Sequence, residues 1–362
     1  MKRAMPWHRV RRLLAVRLDN LGDVVMLSPA LRSIRAAAPQ AAITLLASPA
    51  GAEAASLLPE VDEVMAHRAS WQALGGAAPP ASDEMALIDR LRDGHFDAAV
   101  IFTSFSQDPG PPALVCHLAG IPLRAGWAPL FAGAVLTHPV VPPDPTGHQA
   151  ERNVELVQAL GAPELPTEIV LRIPEDAARA GEAIVASAGL RPGGYVALLP
   201  GASAPARRYP AERYADAARQ IWDTTSLPSI VLGGERDRPI ADVIVRQAGV
   251  AARSLVGATD VPTAAALVKR AALVMAGNSL ALHLADALAV PVVAAYSGTD
   301  LESQWAPRST PTRLFRVPTS CSPCYAIECP YEMECLAIPG RTMGLAGLDL
   351  ISTSAAAPTV PA

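Results

Sequence analysis

Two groups of residues in this chain carry side chains suited to chemistry. The first is Asp19-Asn20-Leu21-Gly22-Asp23, which follows the short apolar run Leu13-Leu14-Ala15-Val16. Gly22 gives the turn a backbone freedom closed to other residues. The run reads as a buried strand, so Asp23 falls where a strand hands over to a helix. In open α/β folds that point is the mouth of the sheet, where ligands bind. A carboxylate there can act as a general base on a hydroxyl. It can also cap its own helix, since Asp is a favoured capping residue.

The second group lies in the C-terminal half. Four apolar runs, 195–199, 228–232, 273–276 and 292–296, lead into Pro200-Gly201-Ala202-Ser203, Gly233-Gly234-Glu235-Arg236-Asp237, Gly277-Asn278-Ser279 and Ser297-Gly298-Thr299-Asp300. In a parallel sheet these ends line one edge and build one site. Small residues let backbone N–H groups approach phosphate oxygens, and helix N-termini add positive potential. Ser203 and Ser279 can donate hydroxyl hydrogen bonds. Arg207 and Arg208 either neutralise a diphosphate or form a solvated surface pair. His283 sits in a helical pattern that begins near Asn278, where it is either a structural residue or a donor to a phosphate or sugar hydroxyl. The chain has no G-x-x-x-x-G-K-[ST] sequence, which disfavours a P-loop ATPase. The first turn lacks G-x-G-x-x-G, which counts against a dehydrogenase or a nucleotide-sugar epimerase.

Cys116 stands alone and is expected in a buried helix. Cys321, Cys324, Cys329 and Cys335 fall in CSPCYAIECPYEMEC. Four thiolates can hold one structural Zn²⁺, and reduced thiols or disulfides are the alternatives.

The elements that must position these groups alternate strand and helix signals. Val24, Leu27, Leu31 and Ile34 predict one helix from Val24, with Pro39 beyond its end. Residues 42–46 and 98–102 read as further strands, 69–83 as a loop insertion, and 138–147 as a Pro-rich break in regular structure. A helix over 149–160 should end at Gly161, and 162–176 reads as an interdomain connection with a short strand at 168–173. The alternation then restarts, which predicts two α/β domains with mostly parallel sheets. The boundaries expected are 1–165 and 166–350, with a disordered tail over 351–362.

Composition fits this. The chain has 362 residues, 51% hydrophobic and 18% charged, enough for two cores. A net charge of −4 and a pI near 6.0 argue against general nucleic-acid binding. No apolar run reaches membrane-span length, and Leu13–Val16 is too short for a secretory signal, so a cytoplasmic protein is expected. Lys2, Arg3, Arg9, Arg11 and Arg12 either touch an anionic membrane surface or form a frayed terminus.

Taken in order over about residues 12 to 340, these motifs resemble glycosyltransferase family 9, the ADP-heptose:lipopolysaccharide heptosyltransferases. LGDVVMLSPALRSIR is similar to the family's opening motif. Leu199-Pro200-Gly201-Ala202 with Arg207-Arg208-Tyr209-Pro210 is similar to its phosphate loop. Val231-Leu232-Gly233-Gly234, and Gly277-Asn278-Ser279 through His283-Leu284-Ala285, resemble its other nucleotide loops. The cysteine segment resembles one found in many members.

The resemblance implies a GT-B fold, two Rossmann-like domains facing across a cleft, acceptor on the first and nucleotide sugar on the second. It implies inverting transfer without a metal, from an ADP-sugar, with heptose as the sugar. The acceptor would be a lipid-linked glycan such as a lipopolysaccharide core, at the cytoplasmic face of the inner membrane. The family's base falls on Asp23, its diphosphate cation on Arg207 and its loop hydroxyl on Ser203. Its ribose acid falls on Asp237, its phosphate and sugar turn on Asn278-Ser279-Leu280, and the His that follows that turn on His283. Three positions depart from the pattern: Arg207 for Lys, Asn278 for Asp and Leu280 for Gly. These keep open a nucleotide-sugar-binding protein with lost or altered catalysis, or a transferase acting on another acceptor.

Overall fold

The computed structural model describes residues 4–72, 77–105, 107–128, 134–142 and 146–356. The chain divides into two compact units, Met1–Arg172 and Ile173–Ala362. The first runs β1 (Arg12–Arg17), α1 (Leu21–Val25), α2 (Ser28–Ala37), β2 (Ala42–Ala47), α3 (Pro49–Ala52), β3 (Glu63–Ala66), α4 (Ala81–Asp93), β4 (Ala98–Ile101), α5 (Gly110–Leu118), β5 (Leu123–Trp127), β6 (His138–Val140) and α6 (Gln149–Ala159). The second runs α7 (Glu175–Ser187), β7 (Val196–Leu199), α8 (Ala211–Thr225), β8 (Ser229–Val231), α9 (Arg238–Ala248), β9 (Ala252–Ser254), α10 (Val261–Lys269), β10 (Leu273–Gly277), α11 (Leu280–Ala287), β11 (Val292–Ala295), α12 (Glu302–Trp305), β12 (Thr312–Phe315) and α13 (Gly340–Ala356).

Each unit holds one sheet, in the orders β3-β2-β1-β4-β5-β6 and β12-β11-β10-β7-β8-β9. Every strand pairing is parallel. Read from its own first strand, the second order repeats the first. Both are the doubly wound order that binds ligands where the winding reverses, here beside β1/β4 and β7/β10. The interiors of the central strands are buried (Leu13, Leu14 and Ala15 in β1, Val274 and Met275 in β10), as sheets covered on both faces require.

Several sequence expectations are corrected. The single helix from Val24 is two, α1 and α2, because Pro29 has no N–H to give the carbonyl of Val25. The chain instead tightens, with Leu27 N–H donating to Val24 O at 3.0 Å. The apolar face survives the break, and Val24, Leu27, Leu31 and Ile34 are fully buried.

Residues 138–140 form strand β6 despite Pro139, which an edge strand tolerates. Residues 143–145 of that Pro-rich stretch, and 73–76 of the expected insertion, lie outside the described residues. The expected strand at 168–173 does not form. Its backbone is held by side chains of α2 instead. Ser28 Oγ donates to Val170 O at 2.7 Å and accepts from Val170 N–H at 2.9 Å, while Arg32 donates to the carbonyls of Pro166 and Glu168.

The basic terminus is anchored from Met5 onward. Met5 N–H and the indole N–H of buried Trp7 both donate to Leu160 O, at 2.9 and 3.0 Å. Lys2 and Arg3 lie outside the described residues, while Arg9, Arg11 and Arg12 are exposed. The expected disordered tail is helical as far as Ala356, since α13 packs Met343 and Leu350 into the core. Residues 357–362 of that tail lie outside the described residues.

Candidate active site

In the first unit the site grows from the end of β1. Arg17 closes the apolar run Leu13–Val16 at the end of β1, and its side chain is wholly buried. A buried guanidinium needs carboxylate partners, and the next turn supplies two. Arg17 Nε lies 2.9 Å from Asp19 Oδ2, and Nη2 donates to Asp23 Oδ1 at 2.7 Å. Ser104, just beyond β4, accepts from the same Nη2 at 2.7 Å. Gln107 donates to Asp19 Oδ1. The cluster therefore straddles the β1/β4 reversal.

Asp23 has a structural duty as well as its partly open position. Its Oδ2 accepts from Asn20 N–H at 3.2 Å at the start of α1, while its side chain keeps 14% exposure. It caps its helix and still faces solvent. Asp19 is the more deeply buried carboxyl. Burial pushes its pKa from 3.8 up to about 6, against the pull of Arg17 and Gln107 and with the push of Asp23. Sequence reasoning singled out Asp23 and missed Arg17, Asp19, Ser104 and Gln107. A charge ending an apolar strand was the available signal for Arg17.

In the second unit the loops after β7, β10 and β11 meet. Arg207 Nη2 lies 3.0 Å from Asp300 Oδ2, and its Nε donates to Thr299 Oγ1 at 3.2 Å. Asn278 Nδ2 donates to Thr299 Oγ1 and Asp300 Oδ2, both at 3.3 Å. Asn278 Oδ1 accepts from Ser297 N–H at 3.2 Å. A Cβ on Gly277 would sit 2.9 Å from the carbonyl of Arg207, so only glycine lets these loops approach so closely. Asp300 was not singled out from sequence. It stands beside Asn278 and supplies this strand end with a carboxylate.

The remaining expected residues fall on the same sheet edge. Ser279 is the residue before α11, and His283 is buried within that helix, its ring 6.4 Å from that of Trp305. Ser203 is exposed in the loop after β7. Asp237, after β8, is buried and accepts from Gly234 N–H at 3.1 Å. Cβ atoms on Gly201 and Gly233 would each sit 2.7 Å from its carboxylate, so both glycine loops pack directly against Asp237. Its Oδ1 has no hydrogen-bond partner among the described residues. Arg208 bonds back to Ala202 O at 3.2 Å, bracing its own loop.

The cysteine segment abuts this site. Cys324 N–H donates to Gly298 O and Tyr325 N–H to Thr299 O, at 3.0 and 2.9 Å, and Ile327 O accepts from Ala206 N–H. The segment therefore pins the loops that carry Arg207 and Asp300. Its four thiols are free, with Cys321 and Cys324 exposed. Burial, then the charges of Cys329, Cys321 and Cys324, push the Cys335 thiol up. Among the described residues no three His, Cys, Asp or Glu side chains converge as a metal site. No described helix is long and apolar enough to cross a membrane.

Comparison with known proteins bears on this geometry. Lipopolysaccharide heptosyltransferase 2 of Escherichia coli K12 is 26% identical over 321 residues, 85% of this chain and 88% of that protein. A family 9 glycosyl transferase from Veillonella parvula superposes with a TM-score of 0.77 at 19% identity, over 97% of this chain and 99% of that one. An E. coli heptosyltransferase solved with ADP-2-deoxy-2-fluoro heptose superposes with a TM-score of 0.67 at 17% identity, over 95% and 99% of the two chains. The fold is thus that of the heptosyltransferases, GT-B. The model of glycosyltransferase family 9 (heptosyltransferase) matches residues 85–334, more than half of the chain, starting beyond Asp23 but taking in every loop of the second site. With the duplicated strand order and the clustered loops, this match places the chain in glycosyltransferase family 9, and it is a glycosyltransferase.

Proposed function

We propose that this enzyme transfers a sugar, with inversion, from an ADP-sugar to a hydroxyl of a lipopolysaccharide core or related glycan. Heptose is the proposed sugar. The observation that carries this is the pair of constellations at equivalent strand reversals, Arg17 with Asp19 and Asp23 in one unit and Arg207 with Asp300 and Asn278 in the other.

In this reading Asp23 takes the proton of the acceptor hydroxyl. The acceptor oxygen attacks the anomeric carbon, and the bond to the diphosphate breaks with its electron pair leaving on ADP. Arg207, Ser203, Ser279 and the N-terminus of α11 hold the growing negative charge, without a divalent metal. His283 donates to a phosphate or sugar oxygen. The partnerless Oδ1 of Asp237 is the atom left to meet a ribose hydroxyl. Asp300 stands in for the carboxylate that Asn278 lacks, which favours a working enzyme over a protein that only binds nucleotide sugars. The exposed Arg9, Arg11 and Arg12 suit work at the anionic cytoplasmic face of the inner membrane.

A ligand that binds only the folded state raises the melting temperature, so ADP, UDP and GDP, and then their sugars, can be ranked by thermal shift. ADP should rank first and ADP-heptose should be turned over in the presence of acceptor. Arg207→Ala should weaken ADP binding by about 1.5–3 kcal/mol, the worth of a charged hydrogen bond. Preference for UDP or GDP overturns the donor, and unchanged ADP affinity in the variant removes Arg207 from the site.

A further inference from the structure

Arg152, on α6, is a buried cation that forms no ion pair among the described residues. Only 6% of it is exposed, yet its guanidinium makes no ion pair or hydrogen bond among the described residues, and its Nε is sealed from solvent without a partner. Its guanidinium lies 5.0 Å from the ring centroid of Trp127 and 4.9 Å from that of Phe105. Two aromatic faces attract a cation but leave its in-plane N–H groups free. Burial pushes its pKa down, Glu155 opposes this, and the charge of Arg17 adds to it. No other guanidinium among those described is this deeply buried and left without acceptors: Arg17 has Asp19, Asp23 and Ser104, and Arg124 has backbone carbonyls.

The position of this cation gives it a purpose. Trp127 ends β5 and Phe105 follows β4, so the guanidinium sits at the same sheet edge as Arg17 and Asp23. Other buried polar atoms at this edge also lack partners among the described residues, including Thr103 Oγ1, Gln149 Oε1 and Trp127 Nε1. Packing alone does not explain a concentration of unspent donors and acceptors beside a reactive carboxylate, because each costs free energy when left unpaired.

We propose that Arg152 is the receptor for a negatively charged group, a carboxylate or a phosphate, carried by the acceptor sugar. The inference rests on the reading of the first unit as the acceptor side. The two rings hold the guanidinium at this edge, and its N–H fork can donate to two oxygens. The acceptor would be anchored by its charge at Arg152 and would turn a hydroxyl toward Asp23. Neutral sugars would lack the anchor and leave the cation buried and unpaired.

The test compares charged and neutral sugars on the full-length chain. Glucuronic acid, glucose 6-phosphate and glucose are titrated at millimolar concentration by saturation-transfer NMR, with ADP affinity and melting temperature measured alongside. Wild-type protein should bind at least one charged sugar about tenfold or more tighter than glucose. A preference for glucuronic acid assigns a carboxylate, and one for glucose 6-phosphate a phosphate. Arg152→Gln should abolish the preference and leave ADP affinity unchanged. Arg152→Lys should keep part of it, since the charge remains but the planar fork is lost. If Arg152→Gln does not fold, the wild type and Arg152→Lys decide. Equal binding of charged and neutral sugars by the wild type, or a full preference surviving in Arg152→Gln, overturns the proposal. Failure of ADP to bind any variant counts instead against the nucleotide-sugar reading, because the sugar preference is read without nucleotide.

Discussion

The amide of Asn278 donates to the carboxylate of Asp300 at 3.3 Å, and Arg207 bonds to that same carboxylate. An aspartate at 278, as the family resemblance leads one to expect, would face Asp300 across the same gap. Two buried carboxylates so close cannot both ionise without cost, even beside one guanidinium. Asn278→Asp should therefore lower the melting temperature, and the loss should be larger at neutral pH than in acid, where one of the two carboxyls is protonated. Adding Asp300→Asn should restore most of it. Thermal melts of the single and double variants across pH check this, and a single variant as stable as wild type at every pH refutes it.

Asp23→Asn should cut transfer by about 10² to 10⁴, the usual worth of a general base, and leave ADP affinity near wild type. The amide oxygen can still accept from Asn20 N–H, so most of the cap survives. Transfer rate is compared with melting temperature. Wild-type activity rules Asp23 out as the base, and activity that falls only with the folded fraction leaves it a cap.

Asp19 supplies a pH signature of its own. Its folded pKa, about 6, is raised from 3.8, so between those values the native state binds more protons than the unfolded chain. Stability from this group is present below about pH 4 and is lost as pH rises through 6. Asp19→Asn carries no such titration. Its stability relative to wild type should improve from pH 4 to 6 and then level off, over any constant offset from the lost Arg17 contact. Urea unfolding at several pH values measures this, and a flat difference contradicts it.

The thiols should separate by reactivity. The Cys116 pKa is pushed up to about 12 by burial, so this thiol should resist alkylation until the chain unfolds. Exposed Cys321 and Cys324 should react first, and Cys335, whose thiol is also held up, more slowly. Mass spectrometry after timed labelling reads the order. Protection of all four segment cysteines, with release of about one Zn²⁺ per chain on forced modification, is the result that a four-thiolate metal site requires.

What the sequence revealed follows from where the physics is local. Leu13–Val16 and 273–276 are apolar runs that lead into glycine-containing turns, and they became the central strands of the two sheets. Edge strands were harder. Glu63–Ala66 is largely exposed, and His138–Val140 contains a proline, so neither carries the apolar run that marks a buried strand. Asp23, Arg207 and Asn278 were legible because each sits in a short motif after a strand. Asp19, Gln107 and Asp300 were not, because their roles come from residues distant in sequence. Gln107 reaches Asp19 across 88 positions, and Asp300 reaches Arg207 across 93. Arg152 depends on Trp127 and Phe105, which no local pattern connects to it.

The stretch between 166 and 172 is sewn to α2 by Ser28 and Arg32, and Arg172 N–H donates to Leu57 O at 2.9 Å. Protease susceptibility follows from this. Cleavage needs a segment that can peel away into an enzyme's groove, and these residues are held by side chains along much of their length. A fragment ended at residue 165 would strip Ser28 and Arg32 of their acceptors and bare the flank of α2. A fragment carried through Arg172 keeps every one of those bonds, and is the shortest piece of the first unit that can be expected to survive by itself.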